Sequence, residues 1–372
     1  MIKFIHTADI HLSRPFGFLP PQLAEERRRD QREAVRRIAR LVVDRQADLL
    51  LVAGDLFDSP DPDPSDLEVV VSEFTTLGES NKKIFIIPGN HDYVRPGSFW
   101  KRLNIPNLHV FLDTEWSTVT LNDLGVEVAG IAFQRDKSAR RAFEGLEVAG
   151  NLPVIAMVHA SLESFEGQME KYHPFSEAEL ASVPAAYIAL GHYHRFNDMT
   201  GGREGFHACY PGSPEGISFN SPETEERFVI GGEITDDGTT QIERVKINGR
   251  TMRSTRVDCT SFESESSLFD SIRQLCDRNA FVQLKPAGTP NSRVRESLGE
   301  IPERFRDSCA YLTIDESELL APIDIPCDDT TIRGRFCKQL KWEIENASDP
   351  EKRRLFSRAL ELGLAAFAPP ED

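Results

Sequence analysis

Five short runs of β-branched residues and leucine, each ending at or followed closely by Asp, Asn or His, constrain this chain more than anything else in its sequence. The runs are Ile2 to Ile5, Leu49 to Ala53, Ile84 to Ile87, Val154 to Val158 and Ile188 to Leu190. Behind them stand Asp9-Ile10-His11, Gly54-Asp55, Gly89-Asn90-His91-Asp92, His159 and Gly191-His192-Tyr193-His194. Apolar runs of this kind read as strands buried on both faces of a sheet. Side chains just past the carboxyl ends of such strands collect on one rim, where open α/β proteins put their sites. Asp9 and His194 are therefore expected to meet.

Each motif is weak alone, because Asp-x-His or Gly-Asp recurs by chance and usually marks a turn. Together they offer carboxylates, an amide carbonyl and neutral imidazoles, which suit divalent Mn, Fe or Zn without any thiolate. Hydrolysing a phosphodiester needs an attacking hydroxide, neutralised non-bridging oxygens and a stabilised leaving alkoxide. Two metals roughly 3.5 to 4 Å apart supply the first two.

The spellings HTADIHL (6–12), AGDLFD (53–58), PGNHD (88–92), VHASL (158–162), GHYH (191–194) and YPGSPEG (210–216) carry a family resemblance. The chain resembles the calcineurin-like metallophosphoesterases, in the DNA-repair nuclease branch that includes Mre11 and SbcD. The stretch Asp9 to Phe16 is most like the bacterial YhaO type of that branch. The resemblance covers about the first two thirds of the chain and is only a pattern-level match beyond.

The resemblance implies an α/β fold: a metallophosphoesterase β-sandwich flanked by helices, then a small α+β capping domain and C-terminal helices. It implies two divalent metal ions, Mn first, with Asp9, His11 and His194 on one, Asn90, His159 and His192 on the other, and Asp55 between them. His91 is then free to donate a proton to the leaving oxygen or to hold the phosphate as a cation. Asp92 is expected to hydrogen-bond His91 and fix its tautomer, the plainer alternative being a turn-stabilising role. Ligating imidazoles must be neutral, so metal affinity should fall as pH drops toward ~6.5 and below. Asp58 stands where archaeal and eukaryotic nucleases of the branch have His, a spelling common in its bacterial members.

Composition sets the bounds. The chain has 372 residues, 40% hydrophobic and 28% charged, enough for a full core and more than one domain. No stretch approaches the ~18 to 20 apolar residues of a membrane span, and Met1 to Ile5 read as a core strand without a signal peptide's charged region, apolar region and cleavage site. Cys209, Cys259, Cys276, Cys309, Cys327 and Cys337 form no CxxC pair. Reduced thiols and a cytoplasmic location are expected, with no membrane association. The net charge of −17 argues against wrapping nucleic acid through a general basic surface. Bound divalent cations invert the local field and answer that objection in part.

Residues 23–47 read as an amphipathic helix with Val35, Ile38 and Val42 on one face. Its arginines (Arg27, Arg28, Arg29, Arg32, Arg36, Arg37, Arg40) read as a solvated face interleaved with Glu25, Glu26, Asp30 and Glu33, in preference to a DNA-binding patch. Residues 58–66, acidic and proline-rich, are expected to be irregular. Two strands, 228–234 and 241–247, flank a turn at Asp236-Asp237-Gly238 and close a nuclease domain over 1–248.

A capping-like α+β unit over 249–330 follows: strands at 253–258, 281–284 and 311–314, helices at 264–277 and 294–301. Residues 331–372 carry two amphipathic helices. Phe336, Leu340 and Ile344 mark one; Pro350 starts the other, with Phe356, Leu360, Leu364 and Phe367. They either pack on the small domain or, as the resemblance implies, dock an SMC-like ATPase of the Rad50 or SbcC kind.

His6 is expected in a core or supporting role, and His109, His173 and His207 have no motif context; all four are left out of the metal site. Three functions stand against one another. The preferred one is a metal-dependent DNA exonuclease, the subunit of an SbcCD or Mre11-Rad50-like repair complex, with homodimerisation left open. The alternatives are a phosphodiesterase or phosphatase for a small nucleotide, and a scaffold that kept the fold without catalysis.

Overall fold

The structure, a computed structural model, describes residues 1–148, 150, 152–164, 172–201, 206–219, 226–319, 330–347 and 349–366. The chain divides into two compact units, Met1–Thr251 and Met252–Asp372.

In the first unit the chain runs β1 (Ile2–Thr7), α1 (Pro21–Asp44), β2 (Leu49–Ala53), α2 (Pro64–Glu79), β3 (Lys83–Ile87), β4 (Leu108–Val110), β5 (Ser117–Leu121) and β6 (Val126–Gly130). It continues through β7 (Val154–His159), α3 (Glu177–Ser182), β8 (Tyr187–Gly191), β9 (Asn197–Asp198), β10 (His207–Tyr210), β11 (Phe228–Ile234) and β12 (Thr240–Lys246). The five apolar runs are strands, as expected. They lie, however, on two sheets rather than around the rim of one. β12-β11-β1-β2-β3-β4 form the first six-stranded sheet and β5-β6-β7-β8-β10-β9 the second. β1 to β4 run parallel, as do β6, β7, β8 and β10.

Alternation along the strands builds three apolar layers. Phe4, Leu49, Leu51, Ala53, Phe85 and Ile87 face Val126, Val128, Ile155, Met157, Tyr187 and Ala189 across the two sheets. Ile5, Leu50, Val52, Ile84 and Ile86 point the other way, onto Val35, Ile38 and Val42 of α1 and Val70, Phe74 and Leu77 of α2. Val158, Ile188, Leu190 and Ala208 pack outward against Phe175 and Leu180. Burying strands on both faces removes any hydrophobic-polar alternation, which is why the runs are continuous.

α1 starts with Pro21 in its first turn and ends where Gln46 turns left-handed at φ 53°. Its arginines are mostly neutralised. Arg28 pairs with Glu25, Arg32 with Glu25 and Asp66, Arg36 with Glu33, and Arg37 with Glu215. Arg27 departs from the solvated face expected of it: it is fully buried, bound to Asp30 and Glu215. α2 begins inside the stretch expected to be irregular, because Asp63 caps it through the Ser65 amide and Pro64 suits the first helical position.

The second unit holds β13 (Thr251–Asp258), α4 (Glu265–Leu275), β14 (Ala280–Gly288), α5 (Ser292–Leu298), α6 (Ile301–Arg304), β15 (Tyr311–Ile314) and β16 (Glu318–Leu319). Its core is built by Leu268, Phe269, Ile272, Val282, Leu284, Val294, Leu298 and Leu312. α7 (Ile332–Asn346) and α8 (Pro350–Ala366) follow and pack on each other through Phe336, Cys337, Leu340, Ile344, Phe356 and Leu360. The side chain of Leu364, with Phe367 and Cys327, lies outside the described residues. Among the described residues no disulfide forms and no helix is long and apolar enough to cross a membrane.

Candidate metal centre

Each sequence-predicted site residue sits at the carboxyl end of a strand or in the loop behind it, and the loops are tied to one another through their backbones. The Asp9 and His11 amides donate to the Gly54 and Asp55 carbonyls at 3.1 and 3.0 Å, and the Ala160 amide to the Gly191 carbonyl at 3.1 Å. Asp9, His11 and Asp55 turn left-handed, at φ 52°, 51° and 49°. Non-glycine residues hold such a backbone only where their surroundings impose it, commonly at functional sites. The glycines mark close approaches. A Cβ on Gly191 would lie 1.8 Å from the Ala53 carbonyl oxygen, and one on Gly54 would lie 2.2 Å from His159 Nδ1.

The seven expected ligands come together. His11 Nε2 and His194 Nε2 face each other at 3.1 Å, and with Asp9 they form one group of donors. Asp9, Asp55 and His159 form a second. Asn90 Oδ1 lies 3.0 Å from His159 Nε2 and 3.3 Å from His192 Nδ1. Asp55 Oδ2 lies between the groups, 3.3 Å from His159 Nε2 and 3.7 Å from His11 Nε2. Both carboxylates also hold backbone: Asp9 accepts from the His192 amide and Asp55 Oδ1 from the His91 amide.

Tautomers follow from the outer partners. His159 Nδ1 donates to the Ala53 carbonyl at 3.0 Å, and His11 Nδ1 to Asp58 Oδ1 at 2.9 Å. Both Nε2 lone pairs are thereby turned inward, as metal-binding imidazoles require. The His11 Nε2 lone pair points at His194 Nε2 3.1 Å away, in a donor group that also holds the buried carboxylate of Asp9, a setting that suits a cation.

The charges agree. Burial alone would depress the His159 pKa, yet Asp55 and Asp9 raise it to about 9. Burial would likewise raise Asp55, but His159, His11 and His91 hold it well below the carboxylate range. The centre thus draws positive charge toward its carboxylates. The donors present fit a pair of divalent metals.

The family model of the calcineurin-like phosphoesterases matches residues 2–196. The chain belongs to this family. As a calcineurin-like phosphoesterase it has relatives at low identity. It is 24% identical over 297 residues to YhaO of Bacillus subtilis, an uncharacterized metallophosphoesterase, covering 78% of this chain and 70% of that one. It is 25% identical over 266 residues to the DNA double-strand break repair protein Mre11 of Methanocaldococcus jannaschii, covering 67% and 68%. Over 319 residues it is 23% identical to the SbcD component of the nuclease SbcCD of B. subtilis, covering 76% and 78%.

Within this phosphoesterase site His91 is the open member, its side chain 42% exposed and its ring edge-on to His11 at 4.8 Å. The expected partner of His91 needs correction. Asp92 is fully buried, and its oxygens accept from the Gly89 amide at 2.7 Å and the Phe57 amide at 3.1 Å. Burial and the nearby charge of Asp55 raise its pKa to about 7. It stitches two loops together, close to the turn-stabilising alternative. The carboxylate beside His91 is Asp58, whose Oδ1 lies 3.7 Å from His91 Nδ1 and also binds Arg14 at 3.0 Å.

Sequence reasoning misses other supports. Gln31 donates from α1 to the carbonyls of Ile10 and His11 at 2.9 and 2.8 Å. Its signal is present: Gln31 lies four residues before Val35, on the buried face of the helix. Arg227, buried, binds the His194 carbonyl together with the carbonyl and hydroxyl of Ser213. Nothing local in the sequence marks it. Of the remaining histidines, His6 is buried against the Tyr187 hydroxyl at 2.8 Å and His207 meets Thr200. His109 packs on Phe111. None of these three belongs to the donor groups described above.

Proposed function

We propose that this phosphoesterase is a metal-dependent DNA phosphodiesterase, the exonuclease subunit of a cytoplasmic repair complex of the SbcCD or Mre11-Rad50 kind. The observation that supports it most is the position of Asp55 Oδ2, 3.3 and 3.7 Å from imidazoles of two donor groups, with His91 half exposed beside them. Asp9, His11 and His194 would hold one divalent ion and Asn90, His159 and His192 the second, with Asp55 shared; Mn, Fe or Zn suits these donors. Such ions, when bound, neutralise the phosphoryl oxygens and acidify a water.

The side chains do the rest. His91, facing solvent, donates a proton to the leaving oxygen or holds the phosphate as a cation. Asp58 orients His91 and His11. Asp92, through the Phe57 and Gly89 amides, keeps the loops of Asp55 and Asn90 in register.

On this reading residues 1–248 are the nuclease domain, 249–330 a capping-like domain and 331–372 a helical segment that docks an SMC-like ATPase. The exposure of Ile332, Trp342 and Leu355 on the two helices is consistent with docking. The net charge of −17 favours a second reading, a phosphodiesterase for small nucleotides. Mn-dependent degradation of end-labelled linear DNA by the wild type and by His91→Ala separates them. DNA loss that vanishes in the variant supports the nuclease; cleavage of a nucleotide diester without DNA loss, even with the ATPase added, supports the small substrate.

A further inference from the structure

The seven residues after β10, 211–217, form neither helix nor strand, yet every one of them is buried. Connecting segments ordinarily run over the surface, because a buried one must find partners for its polar groups away from water. This one holds a single charged side chain, Glu215, 1% exposed. Glu215 belongs to the run YPGSPEG, and no step of the proposed chemistry uses it.

Both oxygens of Glu215 are engaged, from two parts of the chain. Oε2 accepts from Arg27 at 3.1 Å and Oε1 from Arg37 at 2.5 Å, both on α1. Oε1 also takes the Gly249 amide at 2.8 Å, in the segment that follows β12. Arg27 reaches the Gly216 carbonyl too, at 2.8 Å, and Arg37 the Ile247 carbonyl at 2.7 Å. Charge-assisted bonds of this kind are roughly twice as strong as neutral ones. They fix the loop to α1.

The same loop lies against a candidate metal ligand. The Ser213 amide donates to the His194 carbonyl at 3.3 Å, and a Cβ on Gly212 would stand 2.8 Å from that oxygen. Arg227 bonds the same carbonyl and Ser213 together, while its own amide donates to Asn248 Oδ1 at 3.0 Å. α1 grips the facing ligand as well: Gln31, four residues after Arg27, donates to the His11 carbonyl at 2.8 Å. Residues four apart on a helix share a face. One helix thus holds both backbones whose imidazoles meet at 3.1 Å, His11 directly and His194 through Glu215 and its loop.

We infer that Glu215 is a positioning residue for His194: anchored between α1 and the segment 247–249, it fixes loop 211–217 against the His194 carbonyl and so sets the spacing of His194 and His11 for one of the two ions. The inference rests on the two-metal reading and goes beyond it by assigning the Glu215 anchor to the Asp9-His11-His194 group alone.

The test separates that group from the other. Arg27→Met/Glu215→Met removes both charges together, so that neither is left buried without its partner. Glu215→Gln keeps the shape and an acceptor oxygen, and is the milder variant. Each is placed in the full chain in two backgrounds: His159→Ala, which leaves the Asp9-His11-His194 group, and His194→Ala, which leaves Asn90 and His192 with His159. Calorimetric titration of chelator-stripped protein with Mn reads the remaining ion. In the His159→Ala background the double variant should bind Mn about tenfold more weakly and Glu215→Gln should lose less; in the His194→Ala background neither should change the affinity. Without metal, amide hydrogen exchange over 211–217 should be faster in the double variant. Should the double variant not fold, as its thermal midpoint would show, Glu215→Gln carries the comparison with the same pattern. No loss in the His159→Ala background, or an equal loss in both backgrounds, overturns the inference. A wild type that takes up no Mn refutes the two-metal reading and the positioning role with it, and the exchange result then shows separately whether Glu215 anchors the loop.

Discussion

Replacing Asp58 isolates the contribution of one outer partner to the metal centre. Asp58 Oδ1 accepts from His11 Nδ1 at 2.9 Å and from Arg14 at 3.0 Å. The bond to His11 keeps the imidazole in the tautomer whose Nε2 faces His194 and Asp55. Partners of this kind are typically worth 10- to 100-fold in metal affinity, or about 1.4 to 2.7 kcal/mol. Asp58→Leu removes the acceptor and should weaken one of two metal-binding steps by that amount. Asp58→Asn keeps an acceptor oxygen and should lose clearly less. Arg14, whose side chain is 27% exposed, can turn to water, so its lost ion pair adds little to the change. Calorimetric titration of chelator-stripped protein with Mn reads the two steps, and the thermal midpoint of the stripped protein checks the fold. If Asp58→Leu binds both equivalents as the wild type does, His11 is not positioned through Asp58 and the tautomer argument fails.

Three further outcomes are expected. His91→Ala should lower hydrolysis by about 10² to 10⁴ while keeping metal content, whereas Asp55→Ala should lose metal too; equal metal loss in both would merge roles that we separate. Gly191→Ala drives a Cβ to 1.8 Å from the Ala53 carbonyl. It should cost about 3 kcal/mol, roughly 6 to 12 °C in Tm for a unit of this size, and a Tm within a degree of wild type would contradict the close approach. Arg141 holds the Glu179 pKa down to about 2, against 4.5 for an ordinary glutamate. A depressed carboxylate stabilises above the higher value and loses that contribution as pH falls toward the lower one. Acid unfolding between about pH 4.5 and 2 should therefore be less steep in Glu179→Gln, by a small margin because both partners are about a third exposed; an unchanged acid limb would show the pair to be idle.

The strands, and the donor side chains that gather behind them, are legible in the sequence, but not the number of sheets. Leu50 and Val52 face helices while Leu49 and Leu51 face the other sheet, and both directions are apolar. A run buried on both faces carries no sign of which sheet lies beside it. The gathering donors are legible because each sits within a few residues of a strand end. Asp92 misleads for a related reason. Adjacency in the chain suggests a bond to His91, but the loop folds back so that Asp92 reaches the Gly89 amide three residues earlier.

The supports that no motif announces share one geometry. Asp58 to His91, Arg227 to His194, and Phe133 between His159 and His173 all join residues that different loops bring together. A motif records what one loop offers the metals, whereas the orientation of each offered atom is set by a neighbour from another loop. His11 shows the difference: its place in the chain makes it a candidate ligand, and Asp58, forty-seven residues later, decides which nitrogen carries the proton. It follows that two chains with the same ligand spelling can differ in metal affinity and in substrate choice through such neighbours. For this phosphoesterase, Asp58 is the position where that difference should be sought first.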